Sequence, residues 1–157
     1  MSDNYGKKFE QKFKIDFLKT VPNSTIDRLY DPVGGYYGVK NISDYIGYSY
    51  PFIFYLELKT HKGASIPFDN ITQYEKLKSK VGIKGVRAGV VLWLYEKKIV
   101  LYIPISTITK MKKDGKKSVG IKAIEEGYDI IQIPSVEKRI FMDSDYSCLL
   151  NLKDQGS

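Results

Sequence analysis

The chain has one cysteine and one histidine, and no run of apolar residues approaches the ~18 needed to cross a membrane. With Cys148 alone, an intrachain disulfide is excluded; a reducing compartment and a packing role for the thiol are expected. With His61 alone, metal centres and hydrolytic sites built on paired histidines are excluded, so a catalytic metal would have to rest on carboxylate oxygens. An acidic surplus is also missing: 25 Lys+Arg stand against 18 Asp+Glu, for a formal net charge of +7. A polyanionic partner follows naturally from that balance, with lysine-driven solubility as the plainer alternative. The opening residues Met1, Ser2, Asp3 and Asn4 lead into basic and aromatic sequence without an apolar leader, and a cytoplasmic location with no membrane partner is expected.

Hydrophobic residues make up 43% and charged residues 27%, a balance that favours folding over disorder. At 157 residues the expectation is one domain spanning residues 1–157. Tyr5, Phe9, Phe13 and Phe17 recur every four residues and Leu18 widens the stripe, which predicts a first helix over 5–19. Pro22 and Asn23 end it; a short strand over 25–30 and a Gly-rich connector over 31–43 follow. Alternating runs at 44–49 and 52–60 flank Tyr50-Pro51 and predict a hairpin. Asn70 and Gln73 have capping-box spacing, and Ile71, Tyr74, Leu77 and Val81 predict a second helix closed by Gly82. Runs at 86–95 and 99–103 predict buried strands joined at residues 96–98. Beyond Pro104 come a basic stretch at 110–117, a short helix over 118–126, a strand near 129–133 and a tail strand and turn around 140–150.

Strand alternation puts Glu57 and Lys59 side by side on one face of the second hairpin strand. If the hairpin is symmetric about Tyr50-Pro51, paired residue numbers sum to 101, and Asp44 falls opposite Glu57, about 5 Å away. Directly opposed carboxylates destabilise a sheet unless something compensates them; a hard divalent cation ligated by oxygens would, and Lys59 alone could offset them in part. An ordinary salt bridge between Glu57 and Lys59, with Asp44 as a turn residue, is the open alternative. The acid-x-Lys string also occurs at Glu10/Lys12, Glu96/Lys98 and Asp114/Lys116, but only at Glu57 does it end an apolar strand with an upstream acid. On the first helix, with Phe9 at 0°, Glu10 lies at about 100° and Phe17 near 80°. Glu10 therefore borders the apolar face, either as a solvated edge residue or as an acid able to reach a site beside the sheet.

The ordered strings Asn4-Tyr5-Gly6-Lys7-Lys8-Phe9-Glu10, Asp44-Tyr45-Ile46, Glu57-Leu58-Lys59-Thr60 and Ser65-Ile66-Pro67-Phe68, followed by Gln73, resemble the RecU-type Holliday-junction resolvases of the PD-(D/E)xK nuclease superfamily over residues 4–95. The resemblance implies an α/β, restriction-endonuclease-like fold with a mixed central sheet flanked by helices. It further implies a homodimer acting on branched DNA, above all four-way junctions, with Mg2+ or Mn2+. Asp44, Glu57 and the Leu58 carbonyl would be metal ligands, Glu10 would complete the acidic cluster, and Lys59 would be the catalytic lysine, either as base or as charge stabiliser. Gln73 would orient Lys59 or a water, unless it serves as a cap. A nuclease of the same superfamily acting on other DNA, and a non-catalytic DNA-binding protein, are the alternatives.

Two departures stand out. Many relatives carry a long basic segment ahead of the first motif, where three residues precede Asn4 here, and the connector 31–43 is short where the family has a projecting stalk. Tyr36 and Tyr37 are candidates for stacking on unpaired bases, with Lys40 beside them, or for local packing. Lys110, Lys112, Lys113, Lys116 and Lys117 could track phosphates without sequence preference or form a solvated loop. Deleting residues 36–40 is expected to lower the preference for four-way junctions over linear duplex while sparing residual cleavage. Competition binding at fixed salt beside a cleavage assay checks this, and an unchanged ratio would place selectivity elsewhere.

Overall fold

The computed structural model describes residues 4–30, 43–139 and 141–152. Helix α1 (Tyr5–Thr20) buries Phe9, Phe13 and Phe17 as its four-residue aromatic spacing requires. Asn23 takes a positive φ of 53° after it, turning the chain into β1 (Ser24–Arg28). The hairpin β2 (Tyr45–Ser49) and β3 (Phe52–His61) pairs Tyr45 with Leu56 and Ser49 with Phe52, the register expected from the turn at Tyr50-Pro51. Then come β4 (Ser65–Pro67), a 3₁₀ turn at Phe68–Asn70, helix α2 (Tyr74–Lys78), β5 (Val86–Leu94) and β6 (Ile99–Pro104). Helix α3 (Ile105–Lys113), β7 (Ser118–Gly120), α4 (Ile121–Glu125), β8 (Ile131–Ile133), β9 (Ser135–Glu137), β10 (Met142–Ser144) and a 3₁₀ turn at Tyr146–Asn151 complete the described chain.

The central sheet has the order β1-β2-β3-β5-β6-β8. Among the described strands only β3 and β5 run parallel, and the crossover between them carries β4, the first 3₁₀ turn and α2. Two apolar clusters occupy the two faces. One gathers Phe9, Phe13 and Phe17 of α1 with Phe54, Leu56, Val91 and Trp93. The other gathers Tyr74 and Leu77 of α2 and Ile105, Ile108 and Met111 of α3 with Val90, Leu92 and Leu101. Because both faces are covered, β5 reads as a continuous apolar run instead of an alternating one.

Several sequence expectations need correction. The predicted second helix is shorter, since Phe68–Asn70 forms a 3₁₀ turn and α2 begins at Tyr74. The capping box is not made: Gln73 sits at the N-cap of α2 without a side-chain capping bond. The basic stretch 110–117 is the end of α3 and its exit turn, not an extended loop. Residues 118–126, expected as one helix, divide into β7, which pairs with β4, and α4.

Asp16 and Lys12 fasten α1 to the C-terminal region. Asp16 is buried, accepts the Ser144 N–H at 3.0 Å and pairs with Lys12 at 2.6 Å, while Lys12 also reaches Asp143 at 2.6 Å. Phe17 is fully buried between Phe13, Phe54 and Tyr146. Phe17→Ala is expected to cost about 3–5 kcal/mol, read as a lower urea midpoint with an unchanged m-value.

Candidate active site

The site is built where two neighbouring strands differ in length. β2 starts at Tyr45 opposite Leu56, whereas β3 continues against β5 as far as His61 paired with Leu94. From Glu57 onward, β3 therefore has a strand partner on one side and, among the described residues, none on the other. Asp44, the residue just before β2, turns its carboxylate into this notch and accepts the Leu58 N–H at 2.8 Å through Oδ2. The N–H and C=O of a strand residue face the same neighbour, so the Leu58 carbonyl is directed to the notch as well.

Glu57 projects to the opposite face from Leu56 and Leu58, toward the crossover, and is only 1% exposed. Lys59 Nζ lies 3.5 Å from its Oε1, and Thr72 Oγ1 donates to the same oxygen at 3.5 Å. Its Oε2 is buried and has no hydrogen-bond partner among the described residues. Burial pushes the Glu57 carboxyl above the ordinary glutamate range; Lys59 pulls it down, and the negative charge of Asp44 raises it again. Gln73, expected to orient the lysine or a water, is buried, and its backbone N–H favours the charged form of Glu57. Glu10, Leu58 and Lys59 border a common cleft of about 500 Å³ with Gly6, Asp69 and Thr72.

Arg28 was not anticipated. Its guanidinium lies 3.5 Å from Glu10 Oε1 through Nη2 and 3.9 Å from Asp44 Oδ1 through Nη1. Nη1 also donates to the carbonyls of Leu29 at 2.5 Å and Asp44 at 3.3 Å. The ring of Tyr45 sits 5.7 Å from the guanidinium, and its hydroxyl donates to the Glu10 carbonyl at 3.2 Å. Burial, then the charge of Glu10, push that phenol up to about 12. The available signal was composition: Arg28 is one of three arginines in a chain otherwise served by lysine, and a planar fork is what bridging two carboxylates demands. Among the described residues, no three Asp, Glu, His or Cys side chains converge as a ready metal cage. Glu10 and Asp44 are held together through Arg28, and Asp44 is linked to the Glu57 strand through the Leu58 amide.

The lysines proposed for phosphate contact have mixed surroundings. Lys110 pairs with Asp114 at 3.1 Å, Lys116 with Glu126 at 2.8 Å, and Lys112 lies 3.9 Å over the Tyr74 ring. Lys113 and Lys117 make no ion pair among the described residues, so they are the two left to offer charge outward. Tyr36, Tyr37 and Lys40 lie outside the described residues. Cys148 is half-buried, its thiol pushed up by burial, in keeping with a packing role.

Comparison with models of protein families gives no match, and no curated protein is significantly similar in sequence. Among solved structures, the chain is similar to the Archaeoglobus fulgidus Hjc, a Holliday junction resolvase from an archaeal hyperthermophile. The TM-score is 0.54 and the identity 18%, over 78% of this chain and 94% of that one. The mixed sheet flanked by helices is therefore the restriction-endonuclease-like fold of that protein, as the sequence led one to expect.

The raised Glu57 pKa carries a definite sign. The folded state binds this proton more tightly than the unfolded chain, so stability falls as pH rises from the ordinary value of 4.5 through the raised folded pKa, with the full cost of the ionised side chain present above it and none below 4.5. Glu57→Gln is accordingly expected to raise the melting temperature at pH 7 and to lose that advantage toward pH 4. A variant equally stabilised at both pH values would contradict the burial argument.

Proposed function

We propose that the protein is a metal-dependent, structure-selective DNA endonuclease that hydrolyses phosphodiester bonds in four-way junctions, acting as a homodimer in recombination and repair. The observation that carries this reading is the pairing of a buried, incompletely satisfied Glu57 with Lys59 at the strand end where Asp44 enters. The fold shared with the archaeal resolvase supports a nuclease of that kind, and the ordered motifs from Asn4 to Gln73 favour a RecU-type member. A four-way junction has paired strands to cut, which two symmetry-related sites suit.

The donors present are of the kind that a hard divalent cation takes: carboxylates and a main-chain carbonyl. The unpartnered Glu57 Oε2 fits such a ligand, because a buried carboxylate oxygen without a partner is costly unless something compensates it. Asp44, Glu57 and the Leu58 carbonyl would hold Mg2+ or Mn2+, with Glu10 completing the acidic group. The bound cation would supply Lewis-acid stabilisation of the phosphate and a more acidic water. Arg28 offsets part of the charge of Glu10 and Asp44 and keeps both beside the notch. Lys59 presents an ammonium to the cleft, where it offsets charge developing on the phosphoryl oxygens. The Gln73 main chain and Thr72 hold the Glu57 carboxylate in place from the crossover.

The test is cleavage of a synthetic four-way junction and of linear duplex by purified protein in Mg2+, Mn2+, Ca2+ or EDTA. Cutting of the junction is expected with Mg2+ or Mn2+, binding without turnover with Ca2+, and silence in EDTA. Asp44→Asn and Glu57→Gln should each lower cleavage by at least ~100-fold, more than losing an outer partner costs most metal centres, with junction affinity retained. Near-normal cutting by either variant, or full activity in chelator, would overturn the assignment.

A further inference from the structure

A second cleft opens on the α1 face of the sheet, close to the candidate active site. It holds about 290 Å³ between the N-terminal turn of α1, the end of β5 and the chain after β9, with Tyr5, Lys8, Trp93, Tyr95 and Lys98 among its walls. Thr60, which borders the active-site cleft, is the β-ladder partner of Trp93. Tyr5 adjoins Gly6, which borders that same cleft. The two clefts therefore share adjacent residues on both α1 and the sheet.

The walls combine three kinds of group. Tyr5 and Tyr95 lie parallel, with ring centroids 4.1 Å apart and planes 5° apart, and Trp93 meets Tyr5 edge-on at 5.6 Å. Tyr5 stays 38% exposed, so part of this stacked pair is reachable from solvent. Trp93 is 6% exposed and its indole N–H has no acceptor among the described residues, an uncommon state for a buried indole. Lys8 makes no ion pair among the described residues, and Asn4 provides no side-chain cap for the helix, whose first intrahelical bond is Lys8 N–H to the Asn4 carbonyl. An uncapped sixteen-residue helix start beside an unpaired lysine suits a phosphate.

A stacked aromatic pair, an unpaired lysine and an anion-favouring helix start around one cleft match a single nucleotide. We propose that this cleft receives an unpaired nucleotide of the DNA substrate, its base against Tyr5 and Tyr95 and its phosphate near Lys8 and the start of α1. The proposal rests on the nuclease reading. The cleft would take a nucleotide displaced from the stack beside the bond being cut, which links recognition of interrupted pairing to the neighbouring site. Base-on-aromatic stacking is indifferent to base identity, so the contact selects for disrupted pairing instead of sequence.

Trp93 is the single tryptophan of the chain, so intrinsic fluorescence reads the cleft directly. The full chain is titrated, without divalent metal, with three duplexes of one sequence: fully paired, with a one-nucleotide bulge of 2-aminopurine, and with an abasic site at the bulge. Free mononucleotide in a fourth arm separates a nucleotide-binding site from one that needs DNA. Expected are quenching of Trp93 and of 2-aminopurine by the bulged duplex alone, and affinity about tenfold above that for the abasic bulge. Tyr95→Ala should remove most of that difference and Tyr95→Phe retain it, with fully paired duplex bound equally by all three proteins. Equal affinity for the intact and abasic bulges in the wild-type protein would overturn the proposal whether or not the variants fold. Free mononucleotide quenching Trp93 as strongly as the bulge would also overturn it, as a site not made for DNA. A protein that cuts junctions but shows no bulge discrimination refutes this cleft alone, whereas bulge discrimination without metal-dependent cutting refutes the nuclease reading alone.

Discussion

A carboxylate buried within an otherwise apolar stretch of strand is the constraint around which this molecule is arranged. Taking a carboxylate out of water is expensive unless charge and hydrogen bonds replace its hydration. For Glu57 the replacement is incomplete: Lys59, Thr72 and the Gln73 main chain attend to it, but among the described residues Oε2 has no hydrogen-bond partner. The fold puts it there by letting β3 outrun β2 and by sending the crossover to β5 over the same face. A chain selected only for stability would place an apolar residue beside Val90 and Leu92. Departures from local rules of this kind concentrate at functional sites.

Arg28 solves the related problem of keeping acids near one another. Glu10 comes from α1 and Asp44 from the lead-in to β2, and their charges repel across the notch. The guanidinium bridges them with ion pairs of 3.5 and 3.9 Å and is itself fastened to the Leu29 and Asp44 carbonyls. The acids are thus supported by the scaffold from a strand that contributes no proposed metal ligand. Among the described residues the arrangement stops short of a closed cage, which fits donors that complete their geometry only around a bound cation and phosphate.

Much of this was legible in the sequence because it depends on short-range pattern. The four-residue aromatic spacing of α1, the hairpin register about Tyr50-Pro51 and the apolar runs of β5 and β6 all reflect a periodicity of one face against a core. Helix α3 escaped notice because Ile105, Ile108 and Met111 are interleaved with Thr107, Thr109 and lysines, a mixture that reads as a basic turn until Pro104 is seen to begin a helix. Strands β7 and β9, three residues each, are too short for alternation to register. The role of Arg28 depends on partners 16 to 18 positions away on other elements, as do the burial of Glu57 beneath the crossover and the meeting of Tyr5 with Tyr95. Such distant pairings have no local signature.

The central claim is that the β3 notch holds a divalent cation, and it can be read without any DNA. Fe2+ substituted at such a centre generates radicals that cut the nearby main chain in the presence of ascorbate and peroxide, and mass spectrometry of the fragments locates the ion. The account predicts breaks clustered around Asp44 and Glu57–Leu58, suppressed by excess Mg2+ and absent in Asp44→Asn. Fragments ending elsewhere, or a pattern unchanged by Mg2+ and by that substitution, would contradict it.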